Sequence, residues 1–496
     1  MRVTFVHLGR ENLGIEYLSS ILEKAGHETF LACDPGLFGF EDNVFYTSFL
    51  EKVFSQREKV IDKIEKSAPD LVAFSVYTST YAWACDIAKI TKERLGVKIV
   101  FGGVHASLIP ESVIEKDFVD FVIEGEGEYA LLDLVEVLSL KKTGYDIENL
   151  WYKNDGRVAR NRLRPPIQNL DLLPLPNKDI FGKYVNYKDD YMIMTGRGCV
   201  FNCSYCCESY MNRLYDNKFY RRRSAESVMH ELLVMKEKYN YREVMFFDAL
   251  FFTDKEWLKV FLERYKREIG VPFKCRGKIT FFNEEIGRLL KESGCYCLDF
   301  GMQTLNESLK IDVLNRRETN QCAERVFKLC DRLKLRYDVD HMFGLPGERL
   351  DDYFFGARFY SRLKYINRIK CFELTYFPKM RILASAMDAG LLDEEDIAGI
   401  EKGRIGDFYH NSSVKNKAAE KTNRNFKVFY KFLPLVPCSC VRFILKNKIY
   451  RVFRFIPAFV VVFLQILVAI RGRDYRYFFY LKYYLLRVRR IIRNGF

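Results

Sequence analysis

The sequence predicts an α/β protein in which an N-terminal doubly wound parallel sheet precedes a partial (β/α)6 barrel and a helical, basic C-terminal tail. Two stretches of the chain alternate short apolar runs with helix-length segments, a pattern typical of parallel sheets. A chain of 496 residues exceeds one ordinary core, so two or three domains are expected. The whole excess positive charge of +14 lies near the C-terminus, which marks the tail as a separate region.

The first alternation covers residues 1–140. A helical pattern over 15–25 follows the first strand-like run, and further helical segments separate the later ones. We expect about five parallel strands in a doubly wound, Rossmann-like sheet. Residues 141–185 have weak periodicity and several prolines, and we interpret them as a linker. The strand-like runs lie at 2–8, 71–75, 98–102 and 121–123.

The second alternation defines a barrel domain over residues 186–393. A helix-length segment follows each of the first five of its six strand-like runs, which predicts a partial TIM-type barrel. The chemistry of such barrels lies at the C-terminal ends of the strands. We expect residues 394–425 to connect this barrel to the tail at 426–496. The six runs lie at 191–195, 243–247, 273–276, 298–302, 337–342 and 371–376.

The 14 cysteines follow no spacing typical of secreted disulfide frameworks, and the first residues have the pattern of a strand rather than of a signal peptide. We therefore expect reduced thiols and a cytoplasmic protein, either free or peripheral on the inner face of the membrane. Clustered cysteines then indicate metal binding or catalysis. The pairs Cys295/Cys297 and Cys438/Cys440 are better explained as buried thiols than as an auxiliary cluster.

One cysteine cluster has the spacing C-x3-C-x2-C and consists of Cys199, Cys203 and Cys206, directly after the first barrel strand. Three thiolates on one tight loop can bind three irons of a 4Fe–4S cubane and leave the fourth iron open. A zinc site would need a fourth ligand, and the sequence has no second pair of suitable spacing. We therefore predict a 4Fe–4S cluster at this triplet and leave the adjoining Cys207 out of the ligand set.

The triplet segment TGRGCVFNCSYCCES and later segments in matching order resemble the radical S-adenosylmethionine superfamily, over about residues 186–393. The later segments are FFDALFFTD, FGMQTLNESLKIDVLNRRET and DHMFGLPGE. The resemblance implies that S-adenosylmethionine binds the open iron and, after one-electron reduction, yields a 5′-deoxyadenosyl radical. A flavodoxin or ferredoxin would supply the electron. The usual sixth-strand Pro-Gly-Thr is Pro378-Lys379-Met380 here, so the contacts of that loop stay open.

The same resemblance implies cofactor contacts from three residues. Tyr205 would lie near the adenine, Asp248 near the methionyl group, and Gln303 at the fourth strand, where relatives often have Glu or Gln. The alternative for Asp248 and Gln303 is that they are ordinary polar residues at strand ends. The sequence identifies no catalytic acid or base.

The N-terminal domain resembles the cobalamin-binding domain that often precedes the radical barrel. The resemblance rests on Gly102-Gly103 at a strand end, on Gly-Glu-Gly-Glu at 125–128 and on the segment SVYTST. It implies that cobalamin approaches the backbone at Gly102 and Gly103, because glycine leaves room there. It also implies that Ser75 and Tyr77 line the nucleotide tail of cobalamin.

One departure concerns the cobalt ligand. Many free-standing cobalamin domains carry D-x-H-x-x-G after the first strand, and here that region is HLGRENLGIE. We assign neither His7 nor His105 to cobalt. Either cobalamin binds without a protein imidazole, or the domain is a remnant.

The tail at 426–496 carries 15 Lys and Arg, a single acid, Asp474, and 18 Phe and Tyr. Its apolar run at 455–470 spans roughly 24 Å as a helix, short of the roughly 30 Å core of a bilayer. We expect this run to lie in the headgroup region of an anionic membrane. The alternative is a helical cap on the barrel, and nucleic-acid binding is disfavoured because no such module is visible.

The predicted function is methylation of an unactivated carbon by a cobalamin-dependent radical enzyme. Cobalamin would carry a methyl group from one S-adenosylmethionine, and a second would provide the radical. A lipid or isoprenoid substrate is suggested by the tail alone. The alternatives are radical C–C bond formation, cyclisation or rearrangement with cobalamin in another role or absent, and a non-catalytic cobalamin or redox sensor. The full cysteine triplet argues against the sensor.

Overall fold

The computed structural model describes residues 1–39, 48–154, 156–404, 417–474, 481–486 and 488–489. Parts of the predicted connection at 394–425 and of the tail at 426–496 therefore lie outside the described residues. The described chain forms two largely parallel sheets and a C-terminal cap, by which we mean the helical residues 417–474.

The N-terminal sheet has seven strands in the order β2-β1-β3-β4-β5-β6-β7. The first five in this order are parallel, and the last two pair antiparallel. The order 2-1-3-4-5 is that of doubly wound sheets that bind ligands at the carboxyl ends of their strands. The strands are β1 Arg2–Leu8, β2 Glu28–Asp34, β3 Leu71–Ser75, β4 Lys98–Gly102, β5 Phe121–Ile123, β6 Leu150–Asn154 and β7 Arg157–Arg160.

The sequence predicts four of these strands with their bounds, β1, β3, β4 and β5, but it misses the other three. β2 is missed although its residues 30–33 form a short apolar run; it begins at an exposed residue, Glu28. β6 and β7 fall inside the segment interpreted as a linker, so that interpretation is wrong for this hairpin. The hydrophobic periodicity of this hairpin is weak because the hairpin lies at the edge of the sheet. In β6 the buried residues are Leu150 and Trp151.

The second sheet has six parallel strands whose spatial order, β15-β14-β13-β12-β11-β8, follows the chain. This is the predicted partial barrel, with β8 and β15 at its two edges. A separate two-residue pair, β9 and β10, follows β8. The strands are β8 Tyr191–Ile193, β9 Gly196–Arg197, β10 Arg221–Arg222, β11 Val244–Phe246, β12 Phe273–Gly277, β13 Cys295–Gln303, β14 Arg336–Phe343 and β15 Ile366–Glu373.

The last barrel strand begins five residues before its predicted position. β15 carries Asn367, Arg368 and Lys370, which look like surface residues in the sequence. In the structure Arg368 pairs with the fully buried Asp338 at 3.1 Å, and Lys370 pairs with the buried Asp299. Charged residues that pair inside a sheet interrupt the apolar pattern, so the strand start is not visible in the sequence.

Helices cover both sheets and form the cap. Those of the N-terminal region are α1 Leu13–Lys24, α2 Ser48–Phe54, α3 Arg57–Ser67, α4 Thr78–Leu95, α5 Val104–Leu108, α6 Pro110–Ile114 and α7 Glu128–Leu138. Those that follow are α8 Cys207–Leu214, α9 Ala225–Tyr239, α10 Lys255–Arg264, α11 Glu284–Glu292, α12 Asn320–Leu333, α13 Leu350–Tyr360, α14 Ile382–Asp388, α15 Glu394–Glu401, α16 Lys417–Phe432, α17 Cys438–Lys446 and α18 Ala458–Gly472.

The cap packs on the β15 edge of the barrel through α16 and α18. Phe426, Phe429 and Tyr430 of α16 are fully buried and belong to the same apolar cluster as the two sheets. The Tyr430 hydroxyl donates to the Tyr353 carbonyl at 2.8 Å. The predicted tail therefore starts as part of the barrel core, and a chain ending near residue 425 would expose that core.

Candidate active site

A cavity of about 800 Å³ lies where the carboxyl ends of strands from both sheets meet. The N-terminal sheet contributes the ends of β3, β4 and β5, and the barrel contributes residues at or just after the ends of all six strands. This size is within the range of small-molecule and cofactor sites. Both predicted cofactor-binding regions therefore face one shared space.

The three triplet cysteines all line this cavity, on the loop between β9 and α8. The loop is tied to the barrel because the Ser204 amide donates to the Leu314 carbonyl at 3.1 Å and the Asn212 side chain donates to the Cys199 carbonyl. Burial raises the pKa of the Cys199 thiol to about 11 and that of Cys206 well above its ordinary value. A bound metal would have to offset this cost of forming thiolates.

The arrangement of the thiols fits a cluster better than a single ion. Within the described residues, no three His, Cys, Asp or Glu side chains converge as one metal ion would require. A cubane differs, because each thiolate binds a different iron and the sulfur atoms stay apart. The three free thiols lie on one loop at the cavity wall, where each could bind a different iron.

Two glycines before the triplet allow a close approach of backbones. Gly198 has a φ of +85°, and an added Cβ would lie 2.4 Å from the Phe219 carbonyl oxygen. A Cβ on Gly196 would lie 2.7 Å from the Arg221 carbonyl oxygen. These glycines therefore let the β9 segment pack against the β10 segment, and this pairing fixes where the cysteine loop begins.

Tyr205, Asp248 and Gln303 all line the cavity, as the resemblance predicts for cofactor contacts. The Tyr205 hydroxyl accepts from the Arg316 guanidinium at 3.0 Å. Asp248 accepts from the Thr195 amide at 3.0 Å and from its hydroxyl at 2.7 Å, and burial raises the pKa of its carboxyl. Gln303 has a φ of +63° at the end of β13. The contacts of these residues with S-adenosylmethionine stay predictions.

A group of charges beside the triplet was not predicted from the sequence. Lys278 and Arg316 line the cavity and share the buried Glu318, which lies 3.3 Å from the Lys278 ammonium. The Lys278 ammonium also lies 3.5 Å from the centre of the Phe201 ring, within the cysteine loop. Nearby cations favour thiolates and anionic ligands. Arg316 and Glu318 stand in the segment NRRET, but nothing in its spacing marks their role.

The Gly-Glu-Gly-Glu segment lines the cavity and also forms ion pairs with the barrel. Arg197 of β9 lies 2.9 Å from Glu126 and also pairs with Glu128, while Arg221 of β10 lies 3.0 Å from Glu126. We call these four residues the interdomain latch. Burial alone would raise the pKa of Glu126, but Arg197 and Arg221 hold it below its ordinary value. The latch thus joins the N-terminal domain to the strand that leads into the triplet.

The predicted cobalamin contacts divide into two groups. Ser75, Gly102 and Gly103 line the cavity, whereas Tyr77 does not and lies before α4 with its ring half exposed. A Cβ on Gly102 would meet nothing closer than 3.8 Å, so this position is open. A Cβ on Gly103 would lie 2.8 Å from the Val76 nitrogen. A glycine at this position is therefore also needed for the close packing of the two backbone segments.

No histidine of the described chain lines the cavity. His7 and His105 are both buried, and burial lowers the pKa of each to about 4. His105 lies against the Tyr81 ring, and its Nδ1 is 3.0 Å from the Thr78 hydroxyl. Both are therefore core histidines, which agrees with leaving them unassigned to cobalt.

Comparisons with known proteins agree with this geometry. The sequence profile of the B12 binding domain matches residues 8–135, and that of the Radical SAM superfamily matches residues 193–353. An uncharacterized methyltransferase of Pyrococcus horikoshii is 30% identical over 346 residues, which cover 68% of this chain and 73% of that protein. The hopanoid C-3 methylase of Methylococcus capsulatus is 24% identical over 61% of this chain and 55% of its own length.

A solved structure extends the likeness to the fold. The cobalamin-dependent S-adenosylmethionine radical enzyme OxsB, with aqua-cobalamin and S-adenosylmethionine bound, superposes with a TM-score of 0.65. The match covers 92% of this chain and 72% of that one at 17% identity. At this identity the likeness shows the fold, which is the combination of a B12-binding sheet with a radical barrel.

Proposed function

The chain belongs to the radical S-adenosylmethionine enzymes that carry a B12-binding domain, and we propose that it methylates an unactivated carbon of a lipid-like or isoprenoid substrate. Its cofactors are a 4Fe–4S cluster, S-adenosylmethionine and cobalamin. When bound, the first two supply a one-electron route to a carbon radical, and cobalamin supplies a methyl carrier.

One observation carries this proposal: the triplet and the ends of β3 and β4 line the same cavity. Cys199, Cys203 and Cys206 would hold the cluster on the barrel side. Ser75, Gly102 and Gly103 would contact cobalamin on the side of the N-terminal sheet. A substrate carbon between them would be in reach of both cofactors, which methyl transfer to carbon requires.

Further residues would orient the cofactors without reacting. We propose that Tyr205, Asp248 and Gln303 bind S-adenosylmethionine. Asp248 would keep its orientation through Thr195, and Tyr205 would keep its orientation through Arg316. Tyr77 would reach cobalamin only if the nucleotide tail extends past the cavity wall. The electron would come from a flavodoxin or ferredoxin.

Two observations support the lipid-like substrate. Among the barrel residues that line the cavity are four large apolar ones, Phe247, Met342, Phe372 and Phe377. Among the relatives is a methylase described as acting on hopanoids. The basic tail adds a reason to place the enzyme at an anionic membrane surface, where such a substrate would be dissolved.

The second candidate function is radical C–C bond formation, cyclisation or rearrangement. The same fold occurs in a cobalamin-dependent radical enzyme that is not described as a methyltransferase. The shared cavity would serve that chemistry as well, since a substrate radical near cobalamin is common to both.

The test is anaerobic turnover of the full-length holoenzyme with a membrane lipid extract and S-adenosylmethionine that carries a trideuterated methyl group. We expect an extracted lipid that gains the labelled methyl only when reductant is present. Labelled water-soluble metabolites with unlabelled lipids would contradict the lipid-like substrate. Production of 5′-deoxyadenosine with no labelled product would favour the second candidate.

A further inference from the structure

The C-terminal cap has an outward face with large apolar side chains. Six of them, on α17, on the turn Ile449–Phe455 and on α18, are between 55% and 74% exposed. We call these six residues the outer face. They are Phe443, Val452, Phe455, Phe459, Phe463 and Ile470.

The outer face cannot turn inward, because the opposite side of α18 is fixed on the barrel. Val461, Val468 and Ala469 are buried there. A Cβ on Gly472 would lie 1.9 Å from the Asn367 side-chain oxygen, so α18 touches β15 closely at its end. Asp474, just after α18, lies 3.5 Å from Arg368. The exposed Phe side chains are therefore held outward by the fold.

The exposed charges within the described residues 426–474 have one sign. Exposed basic residues alternate with its apolar ones along the chain, and the Arg454 guanidinium lies 4.5 Å from the centre of the Phe455 ring. The single acid of residues 426–496 is Asp474, and it is buried against Arg368. The described part of this region thus presents no exposed carboxylate. The exposed basic residues are Arg442, Lys446, Lys448, Arg451, Arg471 and Arg473.

We infer that the outer face docks on an anionic lipid bilayer, with its apolar side chains among the headgroups and its basic residues at the phosphates. Aromatic side chains interleaved with Lys and Arg are typical of helices that lie in the interface. A second copy of the chain would bring two basic faces together, and like charges repel. A nucleic acid would use the charges but has no general need for six exposed apolar side chains.

The geometry favours lying on the bilayer rather than crossing it. Among the described residues no single helix is long and apolar enough to span a membrane. The turn Ile449–Phe455 and α18 pass that test only together, and they are bent by 111°. β15, which α18 covers, leads directly into Thr375 and Phe377 on the cavity wall. Docking would hold this edge of the barrel near the lipid.

The inference rests on the proposed function, because a lipid-like substrate gives the docking its use. Docking is measured without turnover, so the two proposals fail separately. The experiment is co-sedimentation of the full-length protein with vesicles of phosphatidylcholine alone or of an equimolar mixture with phosphatidylglycerol, at low and high salt. We expect binding to the anionic vesicles and partial release by salt.

Variants assign the binding to the outer face. Phe459 and Phe49 are each 74% exposed, so Phe49→Ser is a matched control for Phe459→Ser. F459S combined with F463S should weaken vesicle binding at least tenfold, because two Phe side chains are no longer buried among the lipid headgroups. F49S should leave it unchanged. Loss in F459S/F463S with an unchanged unfolding temperature supports docking by this face.

A second pair of variants tests the charges. R442Q combined with K446Q should lower the binding to anionic vesicles about 25-fold, since each basic residue near such a surface contributes a factor of about five. K24Q combined with K259Q removes two exposed charges elsewhere and should have little effect. Three results would overturn the inference: wild-type protein that stays in the supernatant, F459S/F463S that binds like wild type, or a dimer that the same variant dissociates.

Discussion

The shared cavity and the C-terminal cap use charged residues in opposite ways. Around the cavity, Arg221 is buried, Arg197 is largely shielded from solvent, and each has a carboxylate partner in the latch. On the outer part of the cap, six basic residues are exposed, and the single acid of the tail, Asp474, is buried. Paired buried charges fix geometry, whereas exposed charges of one sign act at a distance and are screened by salt. Substitutions around the cavity should therefore affect the binding of the cofactors, and substitutions on the outer face should affect the binding to a membrane.

The largest expected effect comes from the triplet. Changing Cys199, Cys203 and Cys206 together to Ala removes every proposed protein ligand of the cluster. Reconstituted protein should then hold no cluster iron and form no 5′-deoxyadenosine, as measured by iron analysis and chromatography. The adjoining Cys207 does not line the cavity, so C207A is the matched control. This variant should keep both the cluster iron and the formation of 5′-deoxyadenosine. Cleavage of S-adenosylmethionine by the triple variant would refute the assignment of the cluster.

The interdomain latch should give the next largest effect. Arg197→Met leaves the buried Glu128 and the largely shielded Glu126 short of one partner, which costs about 3–5 kcal/mol of unfolding free energy. The measurement is urea unfolding of the full chain. Lys328 forms an exposed pair with Glu324 at 2.8 Å on α12, and K328M should cost no more than about 0.5 kcal/mol. Equal losses in the two variants would show that the latch is not a buried, stabilising network.

The latch also predicts a dependence on pH. Glu126 has a folded pKa below its ordinary value because of Arg197 and Arg221. A lowered folded pKa contributes stability above the unfolded pKa, about 4.3, and that stability is lost as the pH falls through the folded pKa. In R197M the folded pKa of Glu126 should move toward its unfolded value, so the stability lost on the acid side should be smaller than in the wild type. Unfolding curves between neutral and acidic pH test this, and coinciding pH profiles would contradict it.

The two strand-end glycines predict a clean separation between binding and folding. A Cβ on Gly102 would make only ordinary contacts, the nearest at 3.8 Å, so Gly102→Leu should fold with an unchanged unfolding temperature and fill part of the cobalamin site. We expect G102L to lose the corrin absorbance after reconstitution with hydroxocobalamin. Gly103→Ala should instead lower the unfolding temperature, because its Cβ meets the Val76 backbone at 2.8 Å. Retention of corrin by G102L would move the cobalamin site elsewhere.

The smallest effect compares the two sides of the cap. Tyr430→Phe removes one buried hydrogen bond to the Tyr353 carbonyl and should cost about 1 kcal/mol of unfolding free energy. F459S on the outer face should cost much less, because that side chain is already exposed. A larger loss in F459S than in Y430F, measured by thermal unfolding, would mean that the outer face is packed in solution.

The sequence predicts the parts of the fold where one local pattern dominates. Both sheets, and the bounds of β1, β3, β4 and β5, follow from apolar runs, and the triplet follows from spacing on one loop. The edge hairpin of β6 and β7 is missed because edge strands bury few residues. β15 is displaced because Arg368 and Lys370 pair with acids of other strands.

The candidate site divides in the same way. The cysteines and the cavity glycines belong to short motifs, so the sequence alone identifies them. The latch requires Arg197 and Glu126, which are 71 residues apart in the chain. Arg316 reaches the Tyr205 hydroxyl from 111 residues away. Contacts between distant parts of the chain have no local signature, because they arise only where the folded chain brings its elements together.

The central claim, that one cavity combines a radical cluster with a cobalamin methyl carrier, has one direct test. The full-length protein, reconstituted with iron, sulfide and hydroxocobalamin, is supplied with reductant and S-adenosylmethionine, and two products are measured in wild type and G102L. We predict that the wild type forms both 5′-deoxyadenosine and S-adenosylhomocysteine. G102L should keep forming 5′-deoxyadenosine but lose S-adenosylhomocysteine. Equal amounts of S-adenosylhomocysteine from the wild type and G102L would contradict the account.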